Sequence, residues 1–191
     1  MSTWETVMSK DRKNRITVRD IAITGILLAI CIVFQIFKNM SVFITGPVVN
    51  ACLIICSLST GLIPAMILSV ITPVTSFLIT GAPVMTAVPP MMPLIMAGNA
   101  ILVIMVCIFG NKNYVKISLG MAAGSILKAL FMGLTISMGV LPHMLPEPMT
   151  KMLPALKIQF SVTQLITAAI GSVIAYVVWI PLSKSMSVTV H

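Results

Sequence analysis

Charge is scarce in this sequence, and carboxylates scarcest of all. Only 8% of the 191 residues are Asp, Glu, Lys or Arg, about a third of the share in an ordinary soluble domain. The four acids are Glu5, Asp11, Asp20 and Glu147, and each falls in a tail, at a helix end or in a loop of the predicted elements. A proton- or sodium-driven carrier normally keeps an acidic group in its pathway, although unwound backbone carbonyls sometimes bind sodium instead, so a self-powered carrier is disfavoured. No Gly-x-x-x-x-Gly-Lys-Ser/Thr phosphate loop occurs, so ATP is not the chain's own fuel. Paired carboxylates, a Ser and His set at one depth and a His-Glu-x-x-His motif are all missing, which leaves no catalytic residues to name and argues against an intramembrane enzyme.

Cysteine and indole are sparse too. Cys31, Cys52, Cys56 and Cys107 all lie in apolar runs, where disulfides are not expected. Cys52 and Cys56 share a helix face at i, i+4, but the two histidines, His143 and His191, are elsewhere, so packing is the expected role and no metal site is predicted. With only Trp4 and Trp179 present, an indole-lined cage for a cationic ring is not expected.

What the chain has is hydrocarbon: 58% hydrophobic residues and a mean hydropathy of +1.10. Between Asn39 and Asn111 there is no charged residue at all, enough for about three crossings at roughly 20 residues each. The expected fold is an all-α integral membrane protein of six transmembrane helices: residues 20–37, 47–59, 62–79, 91–109, 115–134 and 155–180. Residues 1–19 form a basic tail, 20–182 the transmembrane domain and 183–191 a second tail. Pro47 suits the first turn of helix two, Thr72-Pro73 predicts a kink, 80–90 and 141–154 read as connections, and Pro181 closes helix six. The first run is too long for a secretory signal and no small-x-small cleavage site follows it, so it is expected to be retained.

The net charge of +8 is too unevenly placed to mark a nucleic-acid partner. With both termini cytoplasmic, Lys10, Arg12, Lys13, Arg15, Arg19, Lys112, Lys116 and Lys184 lie inside, against Lys38, Lys151 and Lys157 outside, as the positive-inside rule requires.

The remaining cation is Lys128, in the middle of span five. An ammonium there costs about 2.5 to 3.5 kcal/mol on insertion scales, so it faces the protein interior or snorkels along its stem to an interface. Since no acid in the membrane is available to pair with it, the functional reading is a counter-charge for an anionic ligand. At about 1.5 Å per residue, Asn50, Asn99 and Gln164 lie roughly 5, 9 and 15 Å below the outer ends of their spans. Lys128 and Gln35 end about 13 and 8 Å from the same face. Each amide alone is explained by an interhelical hydrogen bond of about 1 kcal/mol. Together they describe an outward pocket with amides to orient a polar ligand and one cation to hold its anion, suited to a compact carboxylate such as pantothenate or nicotinate. On helix one, Ala22 and Gly25-x-x-x-Ala29 form a small face that serves either internal packing or a partner helix.

In its length, six spans, basic N-terminus, Gly25-x-x-x-Ala29, Gly46-Pro47-x-x-Asn50 and Lys128, the chain resembles the substrate-binding S component of energy-coupling factor (ECF) vitamin transporters, a class of ABC importer. That family usually has Ala-x-x-x-Ala in helix one, so Gly25 is a departure. The resemblance implies a multi-pass subunit of the bacterial cytoplasmic membrane that takes up a water-soluble vitamin or precursor. It has no cofactor of its own; a transmembrane coupling subunit and two cytoplasmic ATPases, which use the ATP, are its partners. It also implies that Ala22, Gly25 and Ala29 meet the coupling subunit and that Phe43 and Thr45, between helices one and two, act as a lid. The alternative is a self-contained secondary transporter or channel for a small organic anion, or a scaffold subunit without a ligand.

Overall fold

The computed structural model describes residues 16–37, 42–110 and 113–188, and every regular element among them is helical. Six stretches are long and apolar enough to cross a membrane. Most of the basic tail, and residues 38–41, lie outside the described residues.

Helix α1 (Val18–Ile36) opens with a capping box: Thr17 Oγ1 accepts from the Asp20 amide while Asp20 Oδ2 accepts from the Thr17 amide at 2.9 Å. Asp20 therefore serves the helix end, where its charge meets the positive pole of the macrodipole. Helix α2 (Val42–Thr60) starts five residues earlier than the sequence predicts, and Pro47 lies inside it. Proline at the sixth helical residue removes one hydrogen bond near the terminus, whereas an apolar loop in lipid would leave many backbone groups unsatisfied. The expected loop at 42–46, and with it the lid built on Phe43 and Thr45, is thus corrected to helix. Thr45 Oγ1 instead donates to Phe34 O at 3.3 Å, tying α2 to α1.

A single residue, Gly61, joins α2 to α3 (Leu62–Thr80) at φ 88°, a left-handed conformation that an L side chain resists. The 80–90 connection contains the short α4 (Pro83–Ala87), followed by α5 (Met91–Phe109). Helix α6 (Tyr114–Met132) runs on through a π-helical stretch, Gly133–Val140, into α7 (Leu141–Met144). The predicted loop at 141–154 is therefore largely helical, with a 3-10 turn at Glu147–Met152 leading into α8 (Leu153–Gln159). The last span is interrupted at Phe160–Ser161 before α9 (Val162–Val188), which continues past Pro181 rather than ending there.

Helix α2 is the hub, packed against α1, α3, α5 and α9, while α6 lies against α5 and α9. One apolar core, around Leu53, Ile54, Leu68, Leu102 and Met121, fills one end of the bundle. A second, around Val88, Met91, Met132, Ile136 and Phe160, fills the other. Along α5 and α6, Asn99 and Lys128 fall between the two. Gly171 allows α9 to cross α2 there, since a Cβ on it would sit 2.7 Å from Asn50 Cβ and from Pro47 O.

Candidate functional site

Lys128 is only 3% exposed, and it does not run to an interface. Its Nζ donates to Asn50 Oδ1 at 2.6 Å and to Asn99 Oδ1 at 2.8 Å, so α2, α5 and α6 meet on one ammonium. The earlier start of α2 puts Asn50 eight residues, about 12 Å, along its helix, close to the depth of Lys128. No carboxylate among the described residues takes part: Asp20 caps α1 and Glu147 is exposed on the 3-10 turn.

The orientation of Asn99 has a covalent origin. In an α-helix the carbonyl of Ser69 would accept from the amide of residue 73, but that residue is Pro73, which has no N–H and whose ring crowds the same carbonyl. The Ser69 oxygen accepts instead from Asn99 Nδ2, at 3.4 Å. With its nitrogen turned to Ser69, Asn99 presents its oxygen to Lys128.

Lys128, Asn50, Asn99, Gln164 and Gln35 all line one cavity of about 390 Å³, within the range of small-molecule sites. Their parts in it differ. Gln35 Nε2 donates to Thr72 O at 3.0 Å and Gln35 Oε1 accepts from Thr75 Oγ1 at 2.9 Å, so its amide is occupied in joining α1 to α3. Gln164 makes no side-chain hydrogen bond among the described residues, and neither does Gln159, which lines the same cavity. Asn50 Nδ2 is likewise without a protein acceptor among those residues. Two of the three ammonium N–H groups are engaged by the asparagines, and the third is available to a ligand. Thr45 lines the cavity, whereas Phe43 is 55% exposed and does not. Pro83, Val84 and Met85 of α4, with Met152, Leu156 and Phe160, supply the apolar cover.

Gln159 is absent from the sequence-derived set. On a continuous helix, residues five apart point roughly 140° away from one another, so Gln159 and Gln164 would face different ways. The interruption at Phe160–Ser161 lets both reach the cavity. Two amides five residues apart, either side of a Phe-Ser pair, are the only signal, and it is faint.

The small face of α1 points outward. Ala22, Gly25 and Ala29 are exposed, a Cβ on Gly25 would meet nothing within 4 Å, and α1 buries Leu27, Cys31 and Gln35 on its other side. Internal packing of that face is therefore overturned. The four cysteines are free thiols, and no cluster of three or more His, Cys, Asp or Glu occurs among the described residues. The chain matches no family model, no curated protein and no solved structure.

Proposed function

We propose that this chain is the substrate-binding subunit of an importer of the ECF type, taking a small anionic vitamin or precursor such as pantothenate or nicotinate from outside the bacterial cytoplasmic membrane. The observation that carries the reading is Lys128. A buried ammonium held by two amide oxygens has no counter-charge from the protein among the described residues, whereas one paired with a carboxylate would be neutralised. Burial sharpens the effect, because a charge pair made out of water is stronger than one made in it. The Gln159 and Gln164 amides and Asn50 Nδ2 serve the ligand's hydroxyl or amide groups, and the apolar cover takes its hydrocarbon.

With the termini cytoplasmic, as the placement of lysine and arginine favours, the cavity lies in the outer half of the membrane. Energy comes from a coupling subunit and two ATPases, docked through the outward face of Ala22, Gly25 and Ala29, where small residues let another helix approach closely. A thermal-shift screen of the purified protein against water-soluble vitamins tests the reading. A ligand at 100 times its dissociation constant adds about 2.7 kcal/mol, a shift of several degrees. If no anionic compound stabilises the wild type more than Lys128→Ala, the reading fails.

One observation favours a second reading. The sixth span is interrupted at Phe160–Ser161, beside the cavity, and discontinuous helices at a midplane site are a mark of secondary transporters. A self-contained carrier or channel would move the anion across liposomes holding this chain alone; a binding subunit would not.

A further inference from the structure

The polar groups of the cavity do not share one level, and α9 supplies a ruler for their spacing. A Cβ on Gly46 would sit 2.9 Å from Thr167 Cβ, and one on Gly171 would sit 2.7 Å from Asn50 Cβ. Four residues along α2 thus match four along α9, so the two helices run side by side in the same direction. Gly171 marks the level of Asn50, and with it that of the Lys128 ammonium, 2.6 Å from Asn50 Oδ1. Gln164 stands seven residues earlier on the same face of α9, roughly 10 Å from that level. Side chains lean toward the N-terminus of their helix, which carries the Gln164 amide away from the ammonium rather than toward it.

The wall between the two levels is apolar. On α5, Ile95 lies one turn from Asn99 toward the Gln164 end, and on α3 Pro73 lies one turn from Ser69, whose carbonyl bonds Asn99. Both line the cavity, roughly 6 Å from the ammonium's level. At the far end Gln159 joins Gln164, and each amide has a donor and an acceptor without a partner among the described residues. Lys128 is the only charged residue among those described that line the cavity. The far end is therefore polar and neutral.

We infer that the cavity selects an elongated monoanion, with its carboxylate on Lys128 and a neutral hydroxyl or amide group at the Gln159 and Gln164 end. This rests on the reading of Lys128 as the counter-charge. A hydrogen bond at each end takes up about 3 Å, so the two polar groups of the ligand lie roughly 5 to 10 Å apart, according to how far those bonds align with the ligand. An extended chain advances roughly 1.1 to 1.2 Å per bond, which sets a separation of at least about five bonds. Of the two compounds named above, pantothenate carries a terminal hydroxyl beyond that limit, whereas the ring nitrogen of nicotinate is too close to its carboxylate to reach the glutamines.

Isothermal titration calorimetry of the purified full chain tests the spacing with 3-hydroxypropanoate, 6-hydroxyhexanoate and 8-hydroxyoctanoate, each paired with the acid of equal length that ends in methyl. In the two longer pairs the hydroxy acid should bind about tenfold more tightly, the scale of one hydrogen bond, and in the shortest pair the two acids should bind alike. Octanedioate, with a second charge at the neutral end, should bind more weakly than 8-hydroxyoctanoate. Gln159→Leu/Gln164→Leu should abolish the preference for the longer hydroxy acids, and Lys128→Ala should weaken every acid of the set. The comparison across lengths in the wild type decides if the glutamine variant does not fold. Acids that need Lys128 but show no hydroxyl preference, the same preference at every length, or a preference that survives loss of both glutamines overturn the spacing and leave the counter-charge standing. Octanedioate binding as tightly as 8-hydroxyoctanoate, or no binding by any of the acids, overturns the inference as well. Acids that bind equally well without Lys128 overturn both the inference and the reading beneath it.

Discussion

Replacing Lys128 by alanine removes the only charge among the described residues that line the cavity, together with two hydrogen bonds, and the consequences for folding and for binding separate. For folding, two terms oppose each other. Asn50 Oδ1 and Asn99 Oδ1 lose their donor, at about 1 to 3 kcal/mol for each acceptor left buried. Against that, the substitution relieves the cost of an ammonium in the membrane, about 2.5 to 3.5 kcal/mol. Because both amides border a 390 Å³ cavity, roomy and polar enough to hold water, the first cost falls toward its lower end and the sum is close to zero. Binding has no such offset. The ligand's anion would be desolvated without a partner, and truncating one member of such a pair typically costs about 2 to 5 kcal/mol. Affinity for the vitamin that the thermal screen selects should fall more than about 30-fold, measured by equilibrium binding of the labelled compound to purified protein. Lys128→Arg should recover only part of it, because a planar fork does not reproduce the geometry of a compact ammonium between two amides. A folded Lys128→Ala protein that keeps wild-type affinity would refute the counter-charge and, with it, the proposed function.

Three further outcomes follow from the same geometry. Asn99→Leu and Gln164→Leu should each lose about 1 to 3 kcal/mol of ligand binding, whereas Gln35→Leu should lower the melting temperature and leave affinity nearly unchanged; loss of folding with affinity preserved in the first two would make those amides structural. Pro73→Ala restores an N–H to the Ser69 carbonyl and frees Asn99 to rotate, so affinity should drop about two- to tenfold, on the scale of one hydrogen bond, while thermal stability holds or rises because a helix-interior proline is removed. Additivity of Pro73→Ala with Asn99→Leu in a double-mutant cycle would show that the proline does not act through Asn99. Gly25→Leu with Ala29→Leu should abolish uptake in cells while ligand affinity of the isolated protein stays unchanged; if uptake persists, the coupling subunit docks elsewhere.

Hydropathy alone determined six spans, because lipid offers the backbone no hydrogen bonds and each crossing must therefore be a long helical apolar run. It also singled out Lys128 as a charge in mid-span, leaving open whether it turned inward or snorkelled, and depth counting brought Asn50, Asn99 and Gln164 to a common region without knowledge of which helices touch. What sequence could not supply was rotation. A helix that is apolar all round carries no stripe to say which side faces its neighbours, so the outward turn of Gly25 and Ala29, and the inward turn of Gln35 toward Thr72 and Thr75, rest on packing alone. Proline misled in both directions. Read locally, Pro47 and Pro181 mark helix ends, yet both lie within helices, because lipid penalises an open loop more than one missing hydrogen bond. The interruption at Phe160–Ser161 has no proline or glycine to announce it. It exists because α8, the π-helical stretch and α4 pack together around Phe160 and Leu156, and only that tertiary arrangement brings Gln159 to the cavity wall beside Gln164.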